Sequence, residues 1–81
     1  MTENQEITDK LIECLSSEFE VPREKFGDNA LLKDDLGFDS LDMVDVAALI
    51  NQEFGVKLKA EDFVGCRRFG QLAELVTERS L

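Results

Sequence analysis

Histidine, tryptophan and tyrosine are absent from this chain, which also has one proline and only two cysteines. Without histidine the commonest general base is missing. Cys14 and Cys66 both fall on segments with helical patterning. They read as small core hydrophobes held reduced, in preference to a disulfide or a redox pair. No apolar run approaches membrane-spanning length, so no membrane insertion is expected. The start, Met1 to Glu6, is polar and acidic, which predicts no secretory leader and a cytoplasmic protein. Basic charge is scarce as well: 9 Lys and Arg stand against 18 Asp and Glu, for a net charge of -9. Nucleic acid phosphates would be repelled by that balance. Partners with basic surfaces are favoured, in encounters that weaken with salt. The same excess implies self-repulsion in the compact state, so added salt or Mg²⁺ is expected to raise the melting temperature. A melting temperature unmoved by Mg²⁺ would contradict this.

What is present is a chain of 81 residues, 43% hydrophobic and 33% charged. That is one small domain, residues 1–81, with a marginal core and neither a disulfide nor a metal site to supplement it. Ile7, Leu11, Cys14 and Leu15 share one helical face and predict a first helix from about Glu3 to Ser17, with Thr2 as its N-cap. A long connection follows, from about Glu18 to Asp39. Val21 to Lys25 reads as one helical turn with Pro22 at its first position, and Leu31, Leu32, Leu36 and Phe38 as pins to the core. Connections this long in compact domains are usually functional.

A second helix is expected from Ser40 to Phe54, ended by Gly55. It is so apolar that it reads as the central helix of a bundle. Val56 to Leu58 is an extended link, Ala60 to Val64 a short third helix, and Phe69 to Glu78 a last helix with Phe69, Leu72, Ala73 and Val76 on its apolar face. The expected fold is all-α, a four-helix bundle with the third helix short and a long loop between the first two.

The loop ends at Gly37-Phe38-Asp39-Ser40-Leu41-Asp42, with Ser40 at the helix start between carboxylates. Such a serine is a poor nucleophile and a good anchor. This stretch, with the apolar helix after it and the small acidic chain around it, resembles the attachment site of the acyl carrier proteins. The resemblance implies that Ser40 carries 4′-phosphopantetheine, derived from coenzyme A, and that Asp39 and Leu41 complete the recognised triplet. A helix N-terminus suits a phosphodiester, because its free N–H groups and dipole favour an anion. Gly37 allows a tight turn, Asp39 caps the helix, and Leu41 is expected to point to the core.

On local pattern alone, Asp39-Ser40 reads as a good helix start. A catalytic serine lacks a base and an oxyanion site. A calcium loop at Asp34 to Asp39 fails the spacing of an EF-hand, so no metal is expected. Phosphorylation of Ser40 would use the same helix-terminus physics.

Asp39, Asp42, Asp45 and Glu53 form an acidic strip along the second helix, extended by Glu61 and Asp62. The resemblance makes this strip the docking surface for basic patches on enzymes. Asn51 and Gln52 stand where fatty-acid carriers tend to have further carboxylates, and Arg67 and Arg68 add positive charge. These departures point to a specialised carrier. Val44, Ala47, Ala48, Phe54, Phe63, Cys66, Leu72 and Val76 are candidates for the bundle interior and, by resemblance, for an acyl pocket.

The function implied is a monomeric carrier, not an enzyme. It would hold acyl groups as thioesters for fatty acid biosynthesis, polyketide or related lipid metabolism. Its partners would be a phosphopantetheinyl transferase and acyl-transferring and chain-elongating enzymes. Aminoacyl or peptidyl cargo, and an unmodified helical interaction module, stay open.

Overall fold

A computed structural model describes residues 3–80. It has three α-helices, α1 Glu3–Phe19, α2 Ser40–Phe54 and α3 Phe69–Ser80, and two 3₁₀ turns, Arg23–Lys25 and Ala60–Phe63. The described residues contain no strand, only a single bridge between Leu31 and Arg68. The chain is an all-helical bundle of three helices, because the expected short third helix is the Ala60–Phe63 3₁₀ turn. The N-cap expected at Thr2 lies outside the described residues. Pro22 is the N-cap of the first 3₁₀ turn and not its first residue.

Leu11 and Leu15 of α1 are fully buried against Phe69, Leu72, Ala73 and Val76 of α3, whose apolar face matches its periodicity. α1 and α3 share the most extensive contact in the bundle. The long connection supplies as much of the core as a helix would: Phe26, Leu32, Leu36 and Phe38 are all buried. The Phe26 ring meets Phe69 edge-on at 5.2 Å, and the Phe38 ring meets Phe19 at 5.0 Å.

α2 is a correction to the sequence expectation. It is not the central helix; Val46 and Ile50 are its only buried residues among those described. Leu41, expected to face the core, is 77% exposed, and Val44 is 66% exposed. Periodicity shows that a face is apolar, not that anything lies opposite it. Here the segment that would have covered α2 amounts to one 3₁₀ turn.

One close approach ties the loop to α3. The Gly70 N–H donates to the Asp28 carbonyl at 3.0 Å, and a Cβ at Gly70 would lie 2.8 Å from that same oxygen. Gly70→Ala therefore gains up to about 1 kcal/mol of helix propensity and loses about 1–3 kcal/mol to overpacking against backbone. A net fall in the denaturation midpoint is expected. Gly27→Ala, where a Cβ meets nothing within 4 Å, should show no such steric loss.

Candidate functional site

The loop before α2 is held by its own backbone. The N–H groups of Asp35 and Leu36 both donate to the Leu31 carbonyl, at 2.9 and 3.0 Å, and Asp35 Oδ2 accepts from the Leu31 N–H at 2.7 Å. Gly37 takes a left-handed φ of 76°, which a side chain would strain. The chain then turns so that the Phe38 N–H reaches the Leu32 carbonyl at 2.9 Å and the Phe38 ring drops into the core. Two residues beyond that anchor stands Ser40.

The capping work at this helix start is done by Asp39 and Asp42, without Ser40. Asp39 Oδ1 accepts from the Asp42 N–H at 2.9 Å, and Asp42 Oδ2 accepts from the Asp39 N–H at 3.2 Å, a reciprocal capping box. Ser40 is the first helical residue, exposed, and its hydroxyl has no hydrogen bond with the described residues. The Ser40 and Leu41 N–H groups also take no acceptor from them. No metal-binding cluster occurs among the described residues.

Two grooves meet at Ser40, sharing Met43 and Phe63 as well. One, of about 440 Å³, is apolar and runs between α2 and the second 3₁₀ turn, lined by Val44, Ala47, Leu58 and Val64. Ser40, Met43, Val44 and Ala47 lie at i, i+3, i+4 and i+7, one stripe of α2. The other, of about 680 Å³, passes under the loop, with Leu32, Phe38 and Cys66 inside and Lys33, Asp34 and Arg67 at its edges.

Of the candidate pocket residues, Val44, Ala47 and Phe63 line the apolar groove and Cys66 the second one. Ala48 is exposed, Phe54 lies 5.1 Å beneath the Lys10 ammonium, and Leu72 and Val76 are fully buried in the core. Met43, Leu58 and Val64 line the apolar groove although they were not among the candidates. The stripe shared with Ser40 would have found Met43.

The acidic candidates also divide. Asp45 and Glu61 are exposed, whereas Asp42 is half-buried in the capping box and Glu53 is half-buried near Lys10, whose Nζ donates to its carbonyl at 3.0 Å. Asp62 is turned inward: it accepts from the Lys59 N–H at 2.8 Å and pairs with Arg79 at 2.8 Å. The Lys59 N–H first, then the Arg79 side chain, hold its carboxyl below the usual range. Arg67 and Arg68 go to different sides, Arg67 to the groove at Ser40 and Arg68 to a cavity beside Asp28.

Burial pushes both thiols up, with Glu53 adding at Cys14 and Asp62 at Cys66. Both should stay protonated at neutral pH and alkylate more slowly than a small free thiol. A thiol added on Ser40 should then react with iodoacetamide first, which peptide mapping would read. Faster labelling of Cys66 would contradict the burial seen.

Residues 9–76 match the family described as the phosphopantetheine attachment site. The chain is similar to the acyl carrier protein of Thermotoga maritima, 32% identical over 79 residues that cover 98% of each. It is similar to the acyl carrier protein of Clostridium perfringens, 31% identical over 72 residues, 89% of this chain and 95% of the relative. The acyl carrier protein of Saccharopolyspora erythraea is 28% identical over 76 residues, 94% of this chain and 80% of the relative.

Proposed function

This chain belongs to the phosphopantetheine attachment family, with acyl carrier proteins as relatives along its length, and from that premise we propose that Ser40 carries the arm and that the protein delivers acyl intermediates in a fatty acid, polyketide or related assembly. The cofactor of the family is covalent 4′-phosphopantetheine. The observation that carries the assignment to Ser40 is the division of labour at the head of α2. Asp39 and Asp42 do the capping, so the Ser40 hydroxyl has no structural task and stands exposed where two grooves meet.

The residues present fit the group. A transferase can reach the hydroxyl, and the free Ser40 and Leu41 N–H groups at the positive end of the helix dipole favour a phosphodiester there. When bound, the group supplies a thiol that holds an acyl chain as a thioester. Met43, Val44, Ala47, Leu58, Phe63 and Val64 offer an apolar bed beginning at Ser40, which favours acyl cargo over peptidyl cargo. Tethering raises the effective concentration of the cargo at each enzyme in turn, so the chain needs no catalytic base of its own.

Asp45 and Glu61, exposed on either side of that groove's elements, are the carboxylates best placed to meet basic patches on a transferase and on acyl-transferring or elongating enzymes. No helix among the described residues is long and apolar enough to cross a membrane. A cytoplasmic location is part of the carrier proposal, since the enzymes it would serve work there. Incubation with coenzyme A and a phosphopantetheinyl transferase of broad tolerance should add one phosphopantetheine unit to the intact mass. No gain would sink the carrier reading.

A further inference from the structure

Lys33 and Arg67 come from distant parts of the chain and both line the second groove, the one that opens at Ser40 under the loop. The backbone holds their two segments together. The Leu32 N–H donates to the Arg67 carbonyl at 2.9 Å, and Leu31 bridges to Arg68, so the two strands of loop are clipped side by side. The far strand is set in turn by Gln71, whose Oε1 accepts from the Arg67 and Arg68 N–H groups at 2.9 and 3.0 Å. Neither the Lys33 nor the Arg67 side chain forms an ion pair or hydrogen bond with the described residues.

In a chain of net charge -9, Lys33 and Arg67 are the two cations that line a groove containing Ser40, and the apolar groove is lined by none. The carboxylates at the same groove do not supply the missing partner. Asp39 is committed to the capping box, and Asp34, on the rim, makes no ion pair with either cation. The floor between them is apolar, from Leu32, Phe38, Met43 and Phe63, and a charge-assisted bond to the exposed cations at its edge would weaken with salt. Guanidinium presents a planar fork that matches a carboxylate or a phosphate, and an ammonium beside it adds a point charge.

We infer that Lys33 and Arg67 form a seat for an anionic group borne by the arm on Ser40. The group is either the phosphodiester at the root of the arm or a carboxylate at the far end of a carboxyl-terminated acyl cargo; both present the same oxyanion chemistry. The second groove would thus receive charged cargo while the apolar groove receives alkyl chains, and the two share the single attachment point. This inference rests on the carrier reading above.

The test uses the full chain, isotope-labelled, in four states: unmodified, with the bare arm, with a methyl-terminated acyl group and with a carboxyl-terminated acyl group of equal length. Intact mass first verifies loading in each state. The readout is the Arg67 side-chain Nε–H resonance, at low salt and again in raised NaCl, in the wild type and in K33Q. A shift that appears with the bare arm, weakens in salt and is reduced in K33Q assigns the seat to the phosphodiester. A shift with those properties that appears only with the carboxyl-terminated group assigns it to the cargo. An Arg67 resonance unmoved in every loaded state, or moved alike by methyl- and carboxyl-terminated cargo and not by the bare arm, overturns the inference. Failure to load at all would instead strike the carrier reading.

Discussion

Ser40→Ala is expected to abolish attachment of the arm completely while leaving the fold and its stability in place. The two halves of that outcome rest on different observations. The first follows from Ser40 being the hydroxyl proposed to receive the phosphoryl group. The second follows from the capping geometry, in which Asp39 and Asp42 hold the helix start and the Ser40 side chain bonds to nothing described. Alanine is also the better helix former at an exposed first-turn position, so the stability change should stay within about ±0.5 kcal/mol. Asp39→Ala should behave in the opposite sense for stability, costing about 1 kcal/mol through loss of the cap. Intact mass after incubation with coenzyme A and a transferase reads the first half, and a denaturation midpoint reads the second. If Ser40→Ala destabilised as Asp39→Ala does and the wild type gained no mass, Asp39-Ser40 would be a helix start and nothing more.

The features legible in the sequence are those decided by neighbours along the chain. Asp39 as cap, Gly55 as the left-handed residue ending α2 at φ 70°, and the α3 face of Phe69, Leu72, Ala73 and Val76 all depend on a few consecutive residues. Leu41 was misplaced because its exposure depends on what stands across from α2, and periodicity carries no information about that. Asp62 reads as one more surface carboxylate until Arg79, a helix away, is seen to hold it. The seat at Lys33 and Arg67 is hidden for the same reason. In sequence Lys33 looks neutralised by Asp34 and Asp35, and Arg67 looks paired with Arg68 in purpose. The backbone clip from Leu32 to Arg67 separates the arginines and brings one of them to Ser40. Ser40 stands out in the sequence because its motif is local, whereas the grooves that meet at it are tertiary.

Phe69→Ala should come close to unfolding the protein. Phe69 is the largest of the fully buried side chains, at 1% exposure, and the substitution opens a cavity where three parts of the fold meet. Its ring packs edge-on against Phe26 of the long connection, its N–H donates to the Ala30 carbonyl at 2.8 Å, and its side chain starts the α3 face that covers Leu11 and Leu15. Truncations of this kind cost about 3–5 kcal/mol. A domain of 81 residues with both cysteines free has a total stability of about 5 kcal/mol to set against them. The expected result is a denaturation midpoint near zero denaturant and loss of the cooperative thermal transition. Leu41→Ala sharpens the argument, because it also removes a large apolar side chain. With Leu41 77% exposed, that change should cost no more than about 0.5 kcal/mol. Equal losses from the two substitutions would mean that α2 is buried on its outer face after all.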